Sequence, residues 1–217
     1  MGEEFRGGIR VVGDFALFTD PNTKADPVSY PVPTQSALLG LLSTLFWKPQ
    51  IIYEVDAVGV EKPIQYFPFS VNGYKDKAKK DQRQFLGKMS KRVTIHRSVL
   101  LDVSYLVSFR LRLNPDAIDE DRREECDLKK YYGMLKEAVN RGFGLNRGQP
   151  YLGISDFYAR VEWVPYKTLL ESKWDDQEFD LPEMFYNWDY AGEGSPKYFK
   201  PFMENGWVRY PQEAVYV

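Results

Sequence analysis

Cysteine and histidine are nearly missing from this chain, which has one of each in 217 residues. A lone Cys126 excludes an intrachain disulfide and any cysteine-built zinc site, as suits a reducing compartment. Long hydrophobic runs are lacking too. The longest, Ala37 to Trp47, is interrupted by Gly40, Ser43 and Thr44 and is too short to span a bilayer. The first residues, Met1 to Arg6, carry no basic start followed by an apolar segment, so no secretion signal is expected and the chain reads as cytoplasmic, with no membrane partner. Net charge is close to absent as well, −2 at pH 7, which argues neither for nor against nucleic acid.

The distribution of charge is more telling than its sum. Between Lys75 and Arg97 nine Lys or Arg face two Asp, a local +7, whereas Glu171 to Glu193 carries eight acids against one Lys, a local −7. One stretch suits phosphate; the other suits protein or repels RNA. The plainer reading is a solvated loop and a solvated tail.

Periodicity places the elements. Residues 8–18 read as a first strand with a break or bulge near Gly13. Thr34 or Ser36 caps a helix whose apolar face is Ala37, Leu38, Leu41, Leu42, Leu45 and Phe46, and Pro49 stops it. Ile51 to Val60 is the next strand. Residues 66–95 are polar, basic and weakly periodic, an insertion whose length inside a compact domain marks it as functional or disordered. From Leu101 to Leu113 apolar residues alternate with Asp102, Ser104, Leu106, Ser108, Arg110 and Arg112, the pattern of a long strand with one wet face. Leu128, Tyr131, Tyr132, Leu135 and Val139 mark a second helix ending at Gly142, and Tyr151 to Val164 reads as a fourth strand. The order is β-α-β-β-α-β, an α+β chain of ferredoxin-like or RNA-recognition type. The expected organisation is one core domain over residues 1–165, with a basic insertion at about 66–97, and a small β-rich extension over 166–217 packed on it.

Several segments in order carry a family resemblance. They are Gly13-Asp-Phe-Ala-Leu-Phe-Thr-Asp-Pro21, Val28-Ser-Tyr-Pro-Val-Pro-Thr34 with Ser36-Ala37, Trp47-Lys-Pro49, Ile51 to Pro63, Asp102-Val-Ser-Tyr105, Lys130-Tyr131, and Pro150-Tyr-Leu-Gly-Ile-Ser-Asp-Phe157. Together they cover about residues 10–165, and the chain resembles the Cas-five family of CRISPR-associated RAMP proteins, subtype I-C branch. The resemblance implies an RNA-binding subunit of a Cascade-type surveillance complex. Such a subunit grips the 5′ handle of the CRISPR RNA, contacts the large subunit and the backbone RAMP subunits, and meets target DNA only through the complex. In subtype I-C it also implies cutting of the precursor transcript without metal or other cofactor. The 2′-hydroxyl attacks the scissile phosphate, so the site must supply a base, a cation for the phosphorane and a proton for the leaving oxygen.

At this point the chain departs from the pattern. Active I-C members are known for a tyrosine at the end of the first helix and a lysine-histidine pair at the head of the second; here those places hold Phe46, Lys130 and Tyr131. Phenylalanine cannot move a proton, and a phenol with an ordinary pKa near ~10 is a poorer base than imidazole. A slip of one residue makes Tyr132 the match, and neither choice restores histidine. Processing is therefore expected to be lost or weakened, with Lys130 and Tyr131 as the surviving catalytic candidates. An active metal-independent endoribonuclease that leaves a 2′,3′-cyclic phosphate is the alternative. A stand-alone RNA-recognition domain is a third reading.

The RNA-binding candidates are Lys48, Lys88, Lys91, Arg92, His96, Arg97, Arg141 and Arg147. His96 reads as a relocated general base, as an RNA contact, or as an ordinary strand-end histidine. Lys48 either touches phosphate or complements the helix C-terminus. The insertion resembles the family's RNA-engaging hairpin, with Phe67, Phe69, Tyr74 and Phe85 placed to stack on unpaired bases. The Gly142 to Gly148 turn resembles the family's glycine-rich loop, in which backbone approaches phosphate.

Overall fold

Local sequence chemistry accounts for the two main helices. In the computed structural model Thr34 has an extended backbone (ψ 153°) and its Oγ1 accepts the Ala37 N–H at 3.2 Å, opening α1 (Gln35–Leu45). The buried Leu38, Leu41, Leu42 and Leu45 recur at helical spacing and seat this face in the core. Each such side chain contributes roughly 1.5–3 kcal/mol. Asp127 caps α2 (Leu128–Arg141) through the Lys129 N–H, and the helix ends at Gly142 in the left-handed region (φ 74°).

The structure describes residues 4–23, 26–74, 92–118, 126–142, 144, 148–171, 179–188 and 195–211. Its strands are β1 (Glu4–Ala16), β2 (Ile51–Val60), β3 (Tyr66–Tyr74), β4 (Arg92–Leu113), β5 (Arg160–Val164), β6 (Phe179–Asp180), β7 (Met184–Trp188), β8 (Pro196–Phe199), β9 (Phe202–Glu204) and β10 (Trp207–Arg209). A third helix, α3, spans Tyr166–Glu171. The main sheet runs β5-β1-β4-β2-β10-β9-β6 with β3 paired to β4, and its ladders are antiparallel. Within it, β5-β1-β4-β2 is the strand order of a ferredoxin-like unit whose four strands are β1, β2, β4 and β5. The last strands add to the free edge of β2, and Leu181, Met184, Met203, Val208 and Tyr210 join the core under α1 and α2. The Tyr210 hydroxyl donates to the Pro33 carbonyl at 2.6 Å, and Gln35 Nε2 to Val55 O at 3.0 Å. These two bonds anchor the start of α1. No helix among the described residues is long and apolar enough to cross a membrane.

Four local expectations change. The third core strand is longer than its alternating stretch: β3 pairs with the first half of β4, Tyr66 opposite Leu100 and Tyr74 opposite Arg92, as two arms of the hairpin expected for the basic insertion, so that strand begins near Arg92 rather than Leu101. No residue is inserted at Gly13, because β1 and β4 keep one register from Glu4–Arg112 to Ala16–Leu100. The pleat nevertheless inverts there. Ile9 and Val11 share the main core with Ala16 and Phe18, while Phe15 and Leu17 pack in a satellite cluster; the partner strand turns over at Asp102, whose φ is +49°.

The face of β4 expected to be wet is partly dry. Leu106 is buried with Val164 and Leu169 under α3, and Ser104 donates to Glu61 at 2.6 Å. Finally, only Arg160–Val164 of the expected fourth strand is strand. Residues 151–159 fold into a loop closed by Leu152 N–H to Phe157 O at 2.8 Å, because Gly153 at φ 86° turns the chain back.

Candidate nucleic-acid interface

The ends of the two helices bring two of the expected processing residues together. Phe46 closes α1 with no exposed surface, and its carbonyl accepts the Tyr53 hydroxyl at 2.7 Å. Its ring centroid lies 6.2 Å from that of Tyr131 in the first turn of α2. Tyr131 is half-buried, and Lys130 beside it is exposed. Of the three places where the resemblance expects catalytic groups, one is therefore a buried hydrocarbon ring, one a phenol and one an ammonium. Tyr132 is committed elsewhere. Its hydroxyl donates to the Arg6 carbonyl at 2.9 Å, and its ring stacks on Phe5 (5.0 Å) and meets Trp163 edge-on (5.3 Å). Burial holds its pKa above the usual tyrosine value.

The glycine turn lies against the same helix. Gly144 N–H donates to Gly148 O at 2.8 Å, and a Cβ on Gly144 would stand 1.9 Å from the Thr44 carbonyl oxygen of α1. Packing on α1 is therefore enough to demand glycine at this position. Arg141 is exposed and ion-paired with Glu137 one turn earlier. Arg147 lies outside the described residues.

Arg92, His96 and Arg97 lie on the β4 arm of the hairpin. Lys88, Lys91 and Phe85 lie outside the described residues, and Arg92 and Tyr74 are described only as paired backbone. His96 is exposed, with Nδ1 3.0 Å from Ser70 Oγ across the hairpin, so its partner is a hydroxyl and it sits on neither helix. Arg97 is half-buried: Nε and Nη1 are enclosed without a hydrogen-bond partner, and Asp156 approaches to 3.8 Å. Phe69 is tied into an aromatic cluster with Phe15 and Phe157, at 5.7 Å from each, whereas Phe67, 6.0 Å from Phe15, stays 41% exposed. Phe67 thus keeps an open ring face, and Phe69 serves the hairpin's footing. Lys48 is exposed just beyond α1.

The sheet face opposite α1 and α2 is not built like an RNA platform. Arg10 grips Glu61 at 2.9 Å, Arg110 meets Asp56 at 2.8 Å and Glu54 at 3.3 Å, and Arg112 meets Glu54 at 2.6 Å, while α3 covers Leu106. Those arginines are already neutralised by carboxylates. Sequence reasoning also missed a cavity beside the start of α1, lined in part by Ser36, Gly40, Tyr151 and Phe185. The Thr34–Ala37 and Pro150–Phe157 segments were the available signal.

Comparison with known proteins agrees with this architecture. A family model described as CRISPR-associated protein (Cas_Cas5) matches residues 9–207. A CRISPR pre-crRNA endoribonuclease, Cas5d, of Thermus thermophilus is 32% identical over 227 residues, covering 94% of this chain and 91% of the relative. Among solved structures, a crystal structure of a CRISPR-associated protein superposes with a TM-score of 0.74 at 23% identity over 97% of this chain and 94% of the other. A chain of a CRISPR RNA-guided surveillance complex shares the fold at a TM-score of 0.53 and 14% identity, over 94% of this chain and 90% of that one. With a family match spanning most of its length and a relative of this identity, the chain belongs to the Cas5 family of CRISPR-associated proteins.

Proposed function

We propose that this chain is the subunit of a type I, I-C-like Cascade complex that holds the 5′ handle of the CRISPR RNA. In this reading it contacts the large subunit and the backbone RAMP subunits, and its own precursor cutting is lost or weakened. Binding is supported by family membership, by the Thermus thermophilus relative that acts on pre-crRNA, and by the local +7 between Lys75 and Arg97. Lysines in that hairpin would give sequence-independent phosphate contacts with salt-dependent affinity.

The single observation that carries the weakened chemistry is the buried ring of Phe46 against Tyr131. Cleavage needs a proton taken from the 2′-hydroxyl and another given to the leaving 5′-oxygen. Phe46 can do neither, and Tyr131 would have to serve alone beside Lys130, whose ammonium is suited to the charge of the phosphorane. The second reading, an active metal-independent endoribonuclease, is favoured by the name of that same relative. Incubating the purified protein with repeat RNA in EDTA separates the two. Intact RNA bound more tightly than a scrambled strand of equal charge supports the first. A single cut with a 2′,3′-cyclic phosphate end, abolished by Lys130→Ala without loss of binding, supports the second.

A further inference from the structure

Three stretches far apart in sequence meet at one place. Residues from the stretches 17–21 beyond β1, 34–40 at the start of α1, and 151–153 line an open cavity of about 420 Å³, and Phe185 of β7 completes its wall. Each of the three overlaps a segment that carries the family resemblance. Neither the α1–α2 junction nor the hairpin contributes to it.

The floor is α1 itself. Ser36, Ala37 and Gly40 stand three and four residues apart on one helix face, and a Cβ built on Gly40 meets nothing within 4 Å. The walls are aromatic. Tyr151 is 37% exposed and held in place by its loop: Leu17 N–H donates to Leu152 O at 3.2 Å, and Gly153 sits so close to β1 that a Cβ would stand 1.9 Å from Leu17 O. Phe185 is positioned by its N–H donating to the Tyr30 hydroxyl at 3.2 Å.

The lining also selects chemically. Among the described residues that line it there is no Lys, Arg, His, Asp or Glu, so a phosphate or a charged side chain entering it would lose water without gaining a counter-charge from them. Two aromatic walls with the hydroxyls of Thr19 and Ser36 at hand suit a flat, neutral group with polar edges. Its distance from the Phe46–Tyr131 junction is set by α1, whose 11 residues separate the two ends by about 15 Å. A single RNA strand spans that distance.

We infer that this cavity receives one unpaired nucleobase of the bound RNA, stacked on Tyr151. The inference rests on the RNA-binding reading above and adds a base-specific subsite to it. Gly40→Leu tests it without endangering the fold, because the new side chain enters open space and leucine is the better helix former. A melting temperature at or above that of the parent chain confirms that the fold is kept.

Repeat RNAs with one abasic nucleotide at successive positions are titrated against both proteins by fluorescence anisotropy. The parent should lose about 10-fold or more in affinity at one position, the range for a single stacked base. Gly40→Leu should show that loss against intact RNA and no further loss at that position, and Tyr151→Ala should behave alike. Equal affinity of Gly40→Leu and parent for intact RNA overturns the subsite alone. So does unchanged RNA affinity with lost binding of the other complex subunits, which would assign the cavity to a protein side chain. A parent chain that binds repeat RNA no better than a scrambled strand overturns the RNA-binding reading and the subsite together.

Discussion

At the scale of single residues, the helix junction makes a sharp chemical claim. If the missing groups limit cutting, restoring them should restore it. The double variant Phe46→Tyr, Tyr131→His is expected to raise single-turnover cleavage of repeat RNA by about 100-fold or more, the usual contribution of a positioned acid–base pair, with little change in RNA affinity. A rate that stays at the parent level would show that the buried Phe46 site cannot present a hydroxyl to the phosphate. Tyr132 supplies the contrast. Its hydroxyl satisfies the Arg6 carbonyl where β5, which pairs only with Gly8 to Val12, no longer covers β1. Tyr132→Phe should therefore cost about 1 kcal/mol in denaturant unfolding and leave RNA processing unchanged.

At the scale of elements, close approaches and bulges decide. The glycine turn rests on α1 at Gly144, so Gly144→Ala must push turn and helix apart and should cost about 1–3 kcal/mol, read as a lowered melting temperature. Gly40→Ala, in the same helix but facing open space, should instead stabilise by roughly 0.5–1 kcal/mol. In β2 the register shifts between Val55 and Ala57, which puts Asp56 in a bulge where its carbonyl takes the Tyr210 N–H and its carboxylate the Arg110 Nε.

Burial raises the Asp56 pKa more than Arg110 lowers it. The folded chain thus binds this proton more tightly than the unfolded chain. That contribution favours folding in acid and fades as pH rises through the folded pKa, from about 4 upward. Urea unfolding across this range should show the parent losing stability relative to Asp56→Asn as pH increases. A difference that is flat with pH would remove Asp56 as its source.

At the scale of the whole molecule, charge and layering divide the labour. The sheet face opposite α1 and α2 is closed by α3 and by arginine–carboxylate pairs, so the proposed RNA binding is expected on the helical side and the hairpin. Replacing Lys88, Lys91 and Arg92 together by alanine should weaken RNA binding in a sequence-independent way. It should also reduce the slope of log affinity against log salt by about 2, given about 0.7 per phosphate contact on a single strand. An unchanged slope would place those side chains away from the backbone of the RNA.

Whatever depends on periodicity is legible in the sequence alone. The alternation from Val103 to Leu111, the leucine face of α1 and its Thr34 cap, and the end of α2 at Gly142 follow from spacing and capping chemistry acting over a few neighbouring residues. The ordered family segments likewise pointed to the fold and to the Phe46–Tyr131 junction. The inversion of the pleat at Asp102, the drying of Leu106 by α3, the commitment of Tyr132 to Arg6, and the convergence of Thr19, Gly40 and Tyr151 on one cavity were not legible. Each depends on which distant segment closes over a residue. That choice belongs to the folded chain as a whole, where burial and hydrogen bonding are satisfied jointly.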